Sequence, residues 1–147
     1  MADLGDFARI GAEDQGLCVV TTLRANGTIQ ASVVNAGVLD HPVSGVKVVG
    51  FVAMGGSRKL VNLRARPRVT MVVRSGWQWV AVEGPVELLG PDDPIAGIGA
   101  EELRLALRAV FVAAGGEHDD WDDYDRAMAA ERRTMAFVLP ERVYSNG

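Results

Sequence analysis

The sequence is short of several residues that would narrow its function at once. It has one cysteine, Cys18, so no internal disulfide can form, which suits a reducing compartment. No run of about 18 uninterrupted apolar residues exists to cross a membrane as a helix. Asp3 and Asp6 stand where a secretory signal would carry a basic flank and an apolar run, so the expected location is cytoplasmic. The two histidines, His41 and His118, lie in loops without cysteines or carboxylates at ligand spacing, and no metal site is expected. Neither a Gly-x-Ser-x-Gly motif nor a triad pattern occurs. Lysine is scarce too: Lys47 and Lys59 stand against thirteen arginines.

Acidic charge is missing from one long window. Between Asp40 and Glu83 there is no Asp or Glu, while Lys47, Arg58, Lys59, Arg64, Arg66, Arg68 and Arg74 all fall there. That window carries +7, leaving −11 for the rest of a chain whose net charge is −4. Such asymmetry points to an anionic partner, or to strand and helix charges that face water.

What is present describes one ordinary globular domain over residues 1–147, with 48% hydrophobic and 23% charged residues. Leu4, Phe7 and Ile10 set a short amphipathic helix over Asp3–Ile10. The β-branched run Leu17–Leu23 and the segment Thr28–Leu39 read as strands around an Asn26-Gly27 turn. Val46–Met54 is a third strand, and Ser57 caps a helix to about Ala65, with Leu60, Leu63 and Val61 turned inward. Arg68–Arg74 and Trp77–Leu89 are strands, the second bulged or exposed at Gly84-Pro85. Helices follow over Glu101–Ala114 and Asp119–Arg133, then a sixth strand over Thr134–Leu139 that Arg142-Val143-Tyr144 extends. Tight turns between strands imply antiparallel pairing, and the fold class is mainly β, a barrel or a sandwich with helices over its ends. Cys18 reads as core, Trp121 and Tyr124 as packing, and the acidic Asp119–Asp125 stretch as a cation site or, at least as well, a solvated helix start.

The chemistry concentrates in Met54-Gly55-Gly56-Ser57-Arg58-Lys59. A helix N-terminus carries unpaired N–H groups and about half a positive charge, so two cations in its first turn have the wrong sign, by about 0.3–1 kcal/mol each. A bound phosphate reverses the argument: the N–H groups, the Ser57 hydroxyl and both cations would converge on it, and the glycines would let it approach. The plainer alternative is a serine cap followed by two solvated side chains.

The order of elements, from Gly16 to Tyr144, resembles the pyridoxamine 5′-phosphate oxidase-like split β-barrels, the flavin and deazaflavin oxidoreductases. The resemblance rests on Ser57-Arg58-Lys59 with Asn62-Leu63-Arg64, on Pro67-Arg68-Val69, and on Trp79 to Val86. It continues in Glu131-Arg132-Arg133 and in Pro140-Glu141-Arg142-Val143-Tyr144. It implies a six-stranded antiparallel split barrel of the FMN-binding type and a homodimer with cofactor at the interface. It also implies phosphate contacts from Ser57, Arg58 and Lys59, with Asn62 beside them, and ring contacts from strand positions Val33–Asn35 and Val49–Val52. Asn35 and Val52 are the nominated ring-lining residues, and Trp77 and Trp79 would come from the partner subunit, on one shared strand face. Pyridoxamine phosphate oxidases carry a basic, His-bearing C-terminal segment, whereas this sequence ends in Ser145-Asn146-Gly147, so that substrate is not expected. The implied cofactor is the deazaflavin F420, with FMN as the alternative. The implied activity is hydride transfer between F420 and a conjugated small-molecule substrate, with no catalytic residue nominated.

Two rival readings remain at this stage. One is a non-catalytic carrier of a flavin, deazaflavin or haem-like pigment. The other is a nucleic-acid-binding barrel, which is disfavoured because no aromatic residue lies between Arg58 and Arg74.

Overall fold

The computed structural model describes residues 1–147 and contains seven strands and four helices. Strand β1 (Leu17–Leu23) alternates strictly, burying Cys18, Val20 and Thr22 and exposing Leu17, Val19 and Leu23. It is followed by β2 (Ile29–Asp40) and β3 (Lys47–Ala53), then β4 (Arg68–Ser75) and β5 (Gln78–Leu89), and finally β6 (Thr134–Val138) and β7 (Arg142–Ser145). Every pairing is antiparallel, in the order β4-β1-β2-β3-β6-β5, and β5 pairs again with β4 to close a six-stranded barrel.

Two long strands serve both halves of the barrel. Residues 29–35 of β2 pair with β1 and residues 36–40 with β3. Residues 78–85 of β5 pair with β4, and residues 86–89 pair with β6. The change of neighbour falls at the Gly84-Pro85 step, where a Cβ on Gly84 would lie 1.9 Å from the Leu139 carbonyl oxygen. The Arg142–Tyr144 segment does not extend β6. Pro140 interrupts the chain, and β7 forms a separate strand along residues 80–83 of β5, outside the barrel.

Helix α1 (Leu4–Ala12) sends Phe7 and Ile10 into the barrel core, and α2 (Arg58–Ala65) sends Leu60 and Leu63. These two plug the barrel, as expected. Helices α3 (Ala100–Ala113) and α4 (Trp121–Ala130) do not cover an end. They pack on the outer face of β3 and β6 through Leu107, Val110 and Tyr124, against Val48, Met135 and Phe137. With the barrel core on one side and this helical layer on the other, every residue of β6 is buried. Within α2, Leu60 and Leu63 point inward as expected, but Val61 points outward and Asn62 takes the third buried place. Asn62 donates to the Thr22 hydroxyl at 3.0 Å, and that hydroxyl donates to Gln30 Oε1 at 2.9 Å, a polar seam beneath the helix.

His41 is not isolated. It is buried in the β2–β3 turn, its Nδ1 accepting from the Val43 and Ser44 N–H groups while Nε2 lies 2.5 Å from Glu87 Oε1 on β5. Two N–H donors on Nδ1 require the proton on Nε2, so the ring acts as a turn lock. Glu87 was out of reach of sequence spacing because it arrives by sheet pairing. Cys18 is buried in the core, where desolvation pushes its thiol up to about 12.

Candidate functional site

The loop from β3 into α2 makes an incomplete helix start. Gly56 takes φ +82, and Ser57 occupies the N-cap with extended backbone, but its hydroxyl caps nothing. That Oγ is buried and has no hydrogen-bond partner in the chain. An orphaned buried hydroxyl costs about 1–3 kcal/mol, a penalty that a ligand oxygen placed there would remove.

The cations beside it are equally unpartnered. Of the fifteen lysines and arginines, thirteen make a side-chain hydrogen bond or ion pair, and Arg58 and Lys59 make none. The basic window thereby resolves into balanced and unbalanced parts. Lys47 pairs with Asp40, Arg64 with Asp93, and Arg68 with Glu141, while Arg66 and Arg74 bond to the Leu23 and Gly76 carbonyls. Two adjacent free cations at a positive helix end are what remain.

A second loop is bolted to the first. Helix α4 ends in a paired-bond C-cap: the Arg132 N–H donates to the Ala129 carbonyl at 3.2 Å and the Arg133 N–H to the Met128 carbonyl at 3.0 Å. Arg132 sits where glycine is usual, at φ +49, and its side chain forms an ion pair with Asp92. The Gly55 N–H donates to the Glu131 carbonyl at 3.0 Å, and a Cβ on Gly55 would meet Arg132 Cβ at 2.8 Å. The glycine is needed for this close approach, which carries Arg133 to the same place as Lys59.

Together the loops border a cleft of about 390 Å³, within the usual range for small-ligand sites. Ten of its fourteen lining residues are hydrophobic, among them Val33, Val34, Val52, Phe111 and Met128. Its only charged lining residues are Lys59 and Arg133. Burial first, and the neighbouring Arg133 second, hold the Lys59 ammonium below the ordinary lysine value. Asn35 donates from Nδ2 to the Gln15 carbonyl at 2.9 Å, leaving its Oδ1 free on the cleft side of β2. The Tyr124 hydroxyl is committed to the Leu107 carbonyl at 3.0 Å and pushed up to about 12, chiefly by burial, as suits a packing residue. No Asp, Glu, His or Cys lines the space. An apolar floor with two cations and an orphaned hydroxyl at its border suits a planar apolar group bearing an anion.

Of the residues nominated from sequence, the fold brings Asn35, Val52, Ser57 and Lys59 to this cleft, with Val33 and Val34. Arg58 is exposed at its edge without lining it. Asn62 faces Thr22, and Val49 and Phe51 belong to the barrel core. Trp79 lines a separate hollow, edge-on to Tyr144 at 6.0 Å, while Trp77 is 92% exposed in the β4–β5 turn, so the two do not share one environment. Sequence reasoning did not nominate Arg133, Phe111 or Met128. The available signal was Glu131-Arg132-Arg133, a charge cluster at a helix end with no glycine to turn it.

Residues 6–135 match the family described as pyridoxamine 5′-phosphate oxidase. Among solved structures, a conserved hypothetical protein from Mycobacterium tuberculosis is 19% identical, with 99% of this chain and 84% of that one covered at a TM-score of 0.69. A pyridoxamine 5′-phosphate oxidase-related, FMN-binding protein from Nostoc punctiforme is 13% identical, with 99% and 84% covered at a TM-score of 0.64. An F420 reductase is 21% identical, with 88% and 90% covered at a TM-score of 0.57. At these identities the likeness is one of fold.

Proposed function

Because the chain belongs to the pyridoxamine 5′-phosphate oxidase family, we propose that it is an oxidoreductase that holds the deazaflavin F420 in the Lys59 cleft and exchanges a hydride with a conjugated organic substrate. The observation that carries this reading is the buried, unpartnered Ser57 Oγ beside the two unpaired cations of the chain, at the border of an apolar cleft. These residues fit a phosphate-bearing ring cofactor. Ser57 and the first N–H groups of α2 would donate to the phosphate, and Lys59 would neutralise it with Arg58 at the edge. Val34, Val52 and Phe111 would exclude water from the ring, and Asn35 Oδ1 could accept a ring N–H. Asn62 supports α2 from below. When bound, the cofactor supplies the hydride, and the chain binds and orients it.

F420 is favoured by the likeness to an F420 reductase, and FMN is the second reading, favoured by the likeness to an FMN-binding protein. The lining offers no carboxylate, imidazole or thiol, so no residue of the chain is nominated as a proton donor.

The site is read as shared between two copies. Val19 and Val33 face each other on the outer side of β1–β2, as do Leu23 and Ile29, and all four side chains are exposed. Val33 also lines the cleft, so the unpartnered apolar face and the site are continuous. A homodimer through this face would cover both, with Trp79 a contributor from the partner copy. No helix is long and apolar enough to cross a membrane. A cytoplasmic setting suits the unpaired Cys18.

Titration with F420 and with FMN, oxidised and reduced, tests the reading, with saturable binding expected for one of them. Binding of neither removes both cofactor assignments. Turnover of the reduced cofactor against a panel of quinones then separates an enzyme from a carrier.

A further inference from the structure

Arg133 is the one charged group of the cleft that the phosphate argument has not used, and its present partner is a poor one. Both Arg133 Nε and Nη2 turn to a single Glu131 oxygen, at 3.2 and 3.1 Å, and the second oxygen lies 3.5 Å from Nη2. Arg108 on Asp125 shows what a formed pair looks like in this fold: Nε to one oxygen at 3.0 Å and Nη2 to the other at 2.6 Å. The Arg133–Glu131 pair spans two residues of a tight C-cap and cannot open into that parallel fork. Its backbone is nonetheless fixed, through the Met128 carbonyl on one side and the Gly55–Glu131 bond on the other. The side chain is about a quarter exposed and borders the cleft with Lys59.

A fixed backbone, a weakly held guanidinium and a neighbouring lysine without a counter-ion have a common explanation. We propose that Arg133 is an exchangeable ligand of the cofactor phosphate, paired with Glu131 when no anion is bound and transferred to the anion when it binds. Glu131 is then an internal competitor for the same guanidinium. The exchange replaces one carboxylate partner by a phosphate, conserves charge on the arginine, and gives Lys59 the anion that offsets its repulsion from Arg133. The assignment rests on the phosphate-cofactor reading and deepens it.

The test compares each cofactor with its phosphate-free counterpart: FMN with riboflavin, and F420 with its phosphate-free deazaflavin chromophore. For the wild-type chain the ratio of the two dissociation constants reports the phosphate's contribution. Equal affinities would remove the underlying reading. With a phosphate preference in hand, Arg133→Gln should shrink the ratio about tenfold and leave phosphate-free binding unchanged. Glu131→Gln should move it the other way, enlarging it about two- to fivefold because the competitor is gone. Loss of both ligands in parallel in R133Q, or an unchanged or smaller ratio in E131Q, would overturn the exchange while leaving the cofactor assignment standing. If R133Q fails to fold, Arg133→Met takes its place, and E131Q is repeated in that background: relief of competition needs the guanidinium and should vanish there, whereas mere removal of a negative charge beside the anion would still enlarge the ratio and overturn the exchange.

Discussion

Four helices begin in this chain, and three of them are built alike while the fourth is not. At α1, the Asp3 carboxylate accepts from the Asp6 N–H at 2.9 Å and the Asp6 carboxylate accepts from the Asp3 N–H at 3.0 Å. At α4, Asp120 accepts from the Asp123 N–H at 3.1 Å, and at α3, Glu102 accepts from the Gly99 N–H at 3.1 Å. Each places negative charge where the helix dipole is positive, and each closes backbone donors that would otherwise be open. Helix α2 has a serine whose hydroxyl bonds nothing, two cations and no acid in its first turn. The same element thus takes two forms: three starts complete themselves and add to stability, while the fourth stays incomplete and, in the proposed reading, would be completed by a ligand.

The comparison breaks most sharply if α2 is made to resemble the others. Ser57→Asp places a carboxylate at the position where the phosphate is expected. It should hold or raise thermal stability while weakening anionic cofactor binding at least a hundredfold, because like charges meet at close range. Calorimetric titration and a melting curve on the same sample read both effects. A cofactor that still binds S57D would mean that the helix start is not its anchor. Lys59→Ala is milder and acts in the same direction. Loss of a charged hydrogen bond predicts binding about ten- to a hundredfold weaker, with a melting temperature unchanged or slightly raised, because the lysine has no partner in the folded chain to lose and its charge is disfavoured there by burial and by Arg133.

The reverse substitution sharpens the contrast. Asp120→Ala removes a completed cap, so it should lower stability by about 1 kcal/mol, roughly 2–4 °C in melting temperature at this chain length. Cofactor affinity should not change. A drop in affinity without a drop in stability would show that the two kinds of helix start are not separable.

How much of this was legible in the sequence follows the range of the interactions involved. Each local feature was readable: the alternation of β1, the Gly-Gly break before Ser57, and the wrong-signed charges of α2 all involve neighbours in the chain. Asn35, Val52, Ser57 and Lys59 were reachable because a family resemblance ties strand positions to a loop, and the fold brings those four to one cleft. What was not legible depends on meetings across the chain. That Arg64 and Arg68 are already neutralised requires Asp93 and Glu141, and that Asn62 is a core residue requires Thr22. The outward layer of α3 and α4 could not be told from barrel-end caps, because an apolar helix face does not say which sheet face it covers. Arg133 escaped for the same reason, since its place on the cleft depends on Gly55 lying against the α4 C-cap.

The smallest expected effect is also the one in which the two kinds of helix start respond to pH at opposite ends of the scale, stability rising with pH at each. At α1, hydrogen bonding from the Asp3 backbone, foremost, holds the Asp6 carboxyl below its ordinary value of 3.8. A carboxylate depressed in the folded state stabilises above its unfolded value and ceases to do so as acid protonates it, so stability from this cap should fade below about pH 4. At α2, burial and Arg133 depress Lys59 below its ordinary 10.5. Here the folded, ligand-free chain binds the proton less tightly than the unfolded chain. Its stability should therefore rise slightly as pH climbs from just below the depressed value toward 10.5, the window in which only the folded lysine has lost its proton. Affinity for an anionic cofactor should fall across that same window, because the charge that recognises it is disappearing. Lys59→Met should flatten both alkaline trends and leave the acid trend of Asp6 untouched. Paired melting and binding curves on the two proteins, subtracted from one another, isolate that residue from other alkaline titrations. Stability and affinity moving in the same direction across the window would mean that Lys59 is not held below its ordinary value by burial and Arg133.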